Sequence, residues 1–229
     1  MQTALATTTA PVLADGFHFP LSPITRPARD ASPTALGATR RLGKDEEVFA
    51  EGDRATFFYK VVSGAVRTSK LLSDGRRQID AFHLPGDIFG IESGGEHRFS
   101  AEAVGDVAVV VYRRCALDTL ASQDSAFARD IVAAMMRSLE RAQEHMLLLG
   151  RKSALEKIAS FLLDMADRAG EDAIALPMSR TDIADHLGLT IETVSRSLTE
   201  LERKGLIALP VQRRSIRLRD KAALERLRA

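Results

Sequence analysis

Met178 to Glu202 reads MSRTDIADHLGLTIETVSRSLTELE. The stretch divides into two short helices and a tight turn. Ser179 is a candidate N-cap, with Asp182 three residues on, and Ile183, Ala184 and Leu187 supply the apolar side of the first helix. Gly188 then ends it, because glycine turns there at no steric cost. Leu189 plugs the turn, Thr190 caps the second helix, and Ile191, Val194, Leu198 and Leu201 recur at helical spacing. A cap, a turn glycine and a second cap in this order predict a helix-turn-helix.

The outer side of the second helix carries Ile191, Glu192, Ser195 and Arg196, the candidate base-reading residues. A guanidinium matches O6 and N7 of guanine with two parallel bonds, and a carboxylate accepts from an exocyclic amine. The Ser195 hydroxyl and the methyls of Ile191 and Thr193 suit thymine methyls or phosphates. Glu192 and Arg196 lie one turn apart, so Glu192 is expected to hold the arginine in register. Ser179, Arg180, Thr181, Thr190 and Thr193, with Arg213 and Arg214 further on, are candidates for the DNA backbone, where contacts position the protein without reading sequence. The plainer alternatives are any αα-hairpin with a polar outer face and, for the two late arginines, a solvated turn.

Around this core, Ser153-Ala154-Leu155-Glu156 is a capping box that starts a helix through about Arg168, with Ile158, Ala159, Phe161, Leu162 and Met165 on its core face. Ala173 to Pro177 reads as a short strand. Gly205 closes the second helix. Leu206 to Pro210 and Ser215 to Arg219 read as a hairpin, which makes the module a winged helix, and Asp220 caps a last short helix. Residues 150–229 hold 15 Lys/Arg against 12 Asp/Glu, and residues 1–149 hold 17 against 19. A mildly basic C-terminal part agrees with nucleic-acid contact.

From Ser125 onward no Gly or Pro occurs until Gly150, which reads as a hinge. Ile131, Met135, Ser138 or Leu139, Ala142, Met146 and Leu149 recur every three or four residues, a seam for a second copy of the helix. Packing on its own domain is the alternative, since Leu147 and Leu148 widen the apolar face. A homodimer suits a helix-turn-helix, because two copies read two half-sites of an inverted repeat in double-stranded DNA.

Between Gly43 and Tyr112, short apolar runs alternate with Glu51-Gly52-Asp53, Ser63-Gly64, Asp74-Gly75 and Pro85-Gly86-Asp87. Phe57 to Val62, Ala65 to Leu72, Gln78 to Leu84 and Val104 to Tyr112 are the candidate strands of an antiparallel roll or barrel. His83 and His97 are expected to be solvated loop residues. Cys115 is expected to be a half-buried thiol at a helix start, although Arg113-Arg114 beside it can lower a thiol pKa. Residues 1–36 hold five of the eight prolines and are expected to form a poorly ordered arm, with Phe17, Phe19 and Leu21 able to dock on the adjoining domain.

The expected division is therefore 1–36, 37–124, 125–149 and 150–229. One cysteine excludes an internal disulfide and a four-thiolate iron–sulfur site. No Ser-His-Asp, metal-ligand or Walker pattern occurs, so no enzyme chemistry and no cofactor are expected. No apolar run reaches the ~18 residues of a membrane span, and the N-terminus lacks a basic segment before an apolar core, so a cytoplasmic protein without a membrane partner is expected.

The run Glu192-Thr193-Val194-Ser195-Arg196 resembles the recognition helix of the CRP/FNR superfamily of bacterial transcription regulators, and Leu176 to Glu202 is most similar to the FixK-type, FNR-like branch. The wording FAEGD, SGAVR, SDGRRQI and LPGDIFG resembles the double-stranded β-helix sensor domain of the same superfamily. The resemblance implies an α+β chain: a cyclic-nucleotide-binding-like roll, a long dimerisation helix and a C-terminal winged helix-turn-helix. It implies half-sites of the TTGAT type, since Glu192, Ser195 and Arg196 match the E-x-x-S-R motif. It further implies an activator that recruits RNA polymerase without an obligatory ligand in oxygen-limitation or nitrogen-fixation control. The segment Phe89 to Ala101 departs from the phosphate cassette of cyclic-nucleotide-binding members, with Ser93-Gly94-Gly95 in place of a helix and Phe99 between Arg98 and Ser100. A roll that binds a nucleotide or haem and gates DNA affinity is the alternative.

Overall fold

The computed structural model describes residues 37–117, 125–209 and 215–228. The N-terminal arm with its Phe17, Phe19 and Leu21, and the wing arginines Arg213 and Arg214, lie outside these residues.

Short strands with glycine turns build the first half: β1 (Ala38–Leu42), β2 (Glu47–Phe49), β3 (Phe57–Ser63), β4 (Val66–Leu71), β5 (Arg77–His83), β6 (Ile88–Phe89), β7 (Ser100–Ala103) and β8 (Val107–Arg113). They form two antiparallel sheets, ordered β1-β8-β3-β6 and β2-β7-β4-β5. Leu42, Phe49, Val61, Val66, Ala101 and Val109 close the core between them. The run Val104 to Tyr112 is not one strand, since a turn at Val104-Gly105-Asp106 divides β7 from β8. The sequence does not announce β1 or β7, because ATRRL and SAEA place charged and small residues where β-branched ones would give the signal. Gly64 turns β3 into β4 at φ +80°, and a Cβ there would lie 2.3 Å from the Asp106 carbonyl oxygen, so no other residue fits.

Helix α1 (Ser125–Arg151) runs through Gly150, so the expected hinge is not there. The chain breaks instead at Lys152 and Ser153, where a new N-cap begins α2 (Ala154–Ala169). The Ser153 side chain accepts from the Glu156 backbone N–H, and the Glu156 carboxylate accepts from the Ser153 N–H at 2.7 Å. Ser153→Ala will lower stability by about 1 kcal/mol, read as a shifted urea midpoint at unchanged slope.

The remaining elements are β9 (Ala173–Ala175), α3 (Arg180–Leu187), α4 (Ile191–Arg203), β10 (Ile207–Ala208), β11 (Ser215–Leu218) and α5 (Lys221–Arg228). The order β10-β11-β9 gives the small sheet of a winged module. Asp220 caps α5, its Oδ1 accepting from the Ala223 N–H at 2.8 Å.

All these described elements pack as one unit. Ile79 and Phe82 of the roll belong to the same core as Phe161, Leu187, Val194 and Leu201 of the C-terminal helices. Two histidines expected in solvent are buried instead. His83 stacks on Phe89 at 4.8 Å with its Nε2 3.1 Å from the Thr68 hydroxyl, and His97 stacks on Phe49 at 3.6 Å. The aromatic rings of the roll supply the flat apolar surfaces that an imidazole covers. Cys115, expected half-buried, is exposed in the 3-10 turn Arg114–Ala116.

Candidate nucleic-acid interface

The helix-turn-helix is held by its caps. Ser179 Oγ accepts from the Asp182 N–H at 3.1 Å, and Asp182 Oδ2 accepts from the Ser179 N–H at 3.0 Å. Gly188 ends α3 at φ +61°, a conformation other residues adopt at a cost. The Leu189 N–H then donates back to the Ala184 carbonyl at 3.0 Å. Thr190 caps α4 by accepting from the Thr193 N–H at 3.2 Å, and its hydroxyl lies 3.0 Å from that of Thr193. Val194, Leu198 and Leu201 are buried, which fixes the opposite side of α4 outward.

That outer side carries Ile191, Glu192 and Arg196, all exposed, with Ser195 and Thr193 half-buried beneath them. The four candidate base readers thus share one edge of one helix. The expected ion pair is missing: the i,i+4 pair on this helix is Lys204 to Glu200 at 2.8 Å, and none joins Glu192 to Arg196 among the described residues. Both charged groups point into solvent and remain available to a ligand. Ser195 has a partner that its sequence position did not announce. Arg180 Nη1 donates to Ser195 Oγ at 3.0 Å, so Arg180 ties α3 to α4 as well as lying at the α3 N-terminus. Ser179 and Thr181 are exposed beside it, where the end of a helix offers its N–H groups and positive dipole to a phosphate.

A carboxylate and a guanidinium on a capped helix, exposed without an ion pair among the described residues and flanked by a helix N-terminus, are chemically suited to a base edge and its phosphates. Comparison with known proteins identifies the module and the family. Residues 156–227 match the model of the Crp-like helix-turn-helix domain, and residues 39–124 match the cyclic nucleotide-binding domain. The chain is 50% identical over 208 residues to the nitrogen fixation regulation protein FixK of Azorhizobium caulinodans, covering 88% of this chain and 83% of that one. The chain is a FixK-type member of the CRP/FNR family.

It is 43% identical over 174 residues to the transcriptional activatory protein AadR of Rhodopseudomonas palustris, covering 74% of this chain and 73% of that protein. The structure of FixK2 from Bradyrhizobium japonicum superposes with a TM-score of 0.78 at 49% identity, covering 84% of this chain and 98% of that one. As a CRP/FNR family member it is a DNA-binding transcription regulator and not an enzyme. Among the described residues no helix is long and apolar enough to cross a membrane.

The family's roll raises the question of a cyclic nucleotide. A cavity of about 340 Å³ lies where α1 covers the roll, lined by Phe49, His83, Phe89, Arg98, Met135 and Leu139 among others. A cyclic phosphate needs a cation and adjacent unpaired backbone N–H groups. Here Asp80 and Glu92 also line the cavity against the single guanidinium of Arg98. The Arg98 N–H already donates to Glu92 Oε1 at 3.3 Å, and the Ser93 and Gly94 carbonyls accept from Arg114. With two carboxylates facing one guanidinium and the Arg98 N–H already taken by Glu92, these residues do not fit a cyclic nucleotide.

Proposed function

We propose that this FixK-type chain is a cytoplasmic activator that binds an inverted repeat of the type TTGAT–N4–ATCAA as a homodimer and recruits RNA polymerase without an obligatory ligand. The observation that carries the proposal is Glu192 and Arg196 exposed on one edge of α4, without an ion pair among the described residues, with Ser195 held beside them by Arg180. Arg196 reads guanine, Glu192 an exocyclic amine, and Ile191 and Ser195 the flanking thymines. Ser179, Arg180, Thr181, Thr190 and Thr193 take phosphates, as do Arg213 and Arg214 in the wing. The working division of the chain remains 37–124, 125–149 and 150–229.

The partner face is the exposed stripe of α1, where Val132, Met135, Met136, Leu139, Met146 and Leu147 stand in solvent at 41–66% exposure. A monomer rarely leaves so continuous an apolar strip uncovered. Ala142 lies along it. Ile131, expected in the seam, is 6% exposed in its own chain, and Leu149 reaches the turn at Gly188, so both face inward. Control in oxygen limitation or nitrogen fixation is drawn from the likeness to FixK, and activation from the likeness to AadR.

A gel shift of the purified protein on the TTGAT–N4–ATCAA duplex, with no effector added, will give a complex at nanomolar concentration. In vitro transcription from a promoter bearing that site will rise under the same conditions. Equal affinity for a scrambled duplex overturns the proposal, and a requirement for an added nucleotide overturns its ligand independence.

A further inference from the structure

The helix-turn-helix is gripped by the roll through charges. Asp182, buried at 4% exposure, accepts from Arg77 Nη2 at 2.7 Å and from Arg67 Nη1 at 3.3 Å. Asp185, one turn along α3, accepts from Arg77 Nε at 2.9 Å and Nη2 at 2.8 Å. Arg67 is itself anchored in the roll by Glu102 at 2.7 Å and Asp45 at 3.0 Å. The next two residues of β5 continue the grip: Gln78 Nε2 donates to the His186 carbonyl at 3.2 Å, and His186 Nδ1 donates to the Ile79 carbonyl at 3.1 Å. Three successive residues of one strand thus hold one helix.

The geometry points to Arg77, with Arg67 behind it, as positioning residues for DNA reading: they fix the angle at which each recognition helix leaves its roll, and so set the half-site spacing the dimer accepts. The inference rests on the inverted-repeat proposal above. Its physical basis is the rigidity of the chain of contacts. A guanidinium meeting two carboxylates at once has a fixed orientation, unlike a single point charge. Asp182 is also the N3 member of the capping box that Ser179 opens on α3, so the clamp pulls on the helix end itself. Arg180 passes the position on to α4 through Ser195. A dimer built this way presents its two reading helices at one separation. Each base pair added between half-sites shifts one of them by about 3.4 Å and turns it by about 35°.

The test measures affinity for duplexes whose spacer is four, five or six base pairs. The unmodified protein will lose at least about thirtyfold when the spacer grows by one pair, whereas Arg77→Gln will lose less than about fivefold while keeping its preference for TTGAT over a changed half-site. Arg77→Lys, which keeps the charge and loses the fork, will fall between them. A purely structural arginine would lower affinity for every spacer alike. A second readout needs no DNA: trypsin will cut the Lys152–Ser153 break at least about tenfold faster in Arg77→Gln, because the clamped state excludes the protease. If the unmodified protein ignores the palindrome altogether, the operator proposal fails and the cleavage rates still decide the clamp. Wild-type spacer selectivity in Arg77→Gln, or wild-type cleavage in the DNA-free case, overturns it.

Discussion

Arg196→Ala will lower affinity for the inverted repeat by between about thirtyfold and twenty-five-thousandfold. Arg196 is exposed on α4 and pairs with no side chain among the described residues, so the change leaves the fold intact. A bidentate arginine–guanine pair discriminates by about 1–3 kcal/mol, and a dimer makes the contact twice, so the loss is about 2–6 kcal/mol per duplex. The loss will also be specific. A duplex with both guanines replaced will bind the alanine variant and the unmodified protein within about fivefold of one another, since the missing contact is then missing from both. Fluorescence anisotropy on the two duplexes at one salt concentration measures the effect. A variant that loses affinity equally for both shows that Arg196 touches phosphate and not a base.

Acid will destabilise the protein well above the range where carboxylates titrate. His83 is buried, and burial pushes its imidazole down to about 4; Asp87 opposes the shift, and Arg141 and Arg168 add to it. His186 is pushed down to about 3, first by burial and then by His145 stacked on it at 4.1 Å. In the unfolded chain both return to about 6.5. Between that value and about 4 the unfolded chain therefore binds protons that the folded chain refuses, and stability falls as pH drops through the window. For His83 alone the fall from pH 7 to its folded value is about 3 kcal/mol. Urea unfolding followed by circular dichroism at pH 7, 6, 5 and 4.5 reads it directly. His83→Gln removes one titration and will flatten the curve. A wild-type stability that does not change between pH 7 and 4.5 contradicts the burial of neutral imidazoles. Asp182 acts lower on the scale. Burial alone would raise its carboxyl, but the Ser179 hydrogen bonds and the Arg67 and Arg77 guanidinium groups outweigh that and hold it below the usual aspartate range. Its contribution is present above about pH 4 and lost as pH falls through the folded value, which separates the clamp from the histidines.

What could be read from the chain alone was local. Ser179, Gly188, Thr190 and Ser153 take the capping and turning roles that their neighbours predict, because a cap needs partners only three or four residues away. The buried and exposed sides of α4 follow from the spacing of Val194, Leu198 and Leu201 for the same reason. Departures arise where a signal was weak or ambiguous. β1 and β7 carry polar residues that pairing, not propensity, makes into strands. Gly150 stays helical because neighbouring residues continue the turn across it, and one glycine costs a helix only about 1 kcal/mol.

Sequence by itself determined the helix-turn-helix, the roll of short strands and the edge of α4 that carries Ile191, Glu192, Ser195 and Arg196. Only the tertiary structure decided where charges met. Arg67 and Arg77 lie 115 and 105 residues from Asp182, and in the sequence all three look like solvated surface residues. The spacing to Ser179 announces the cap that Asp182 completes, but nothing nearby marks either arginine as its partner, because an ion pair depends on distance in space, which the chain fixes only after both halves have folded against one core.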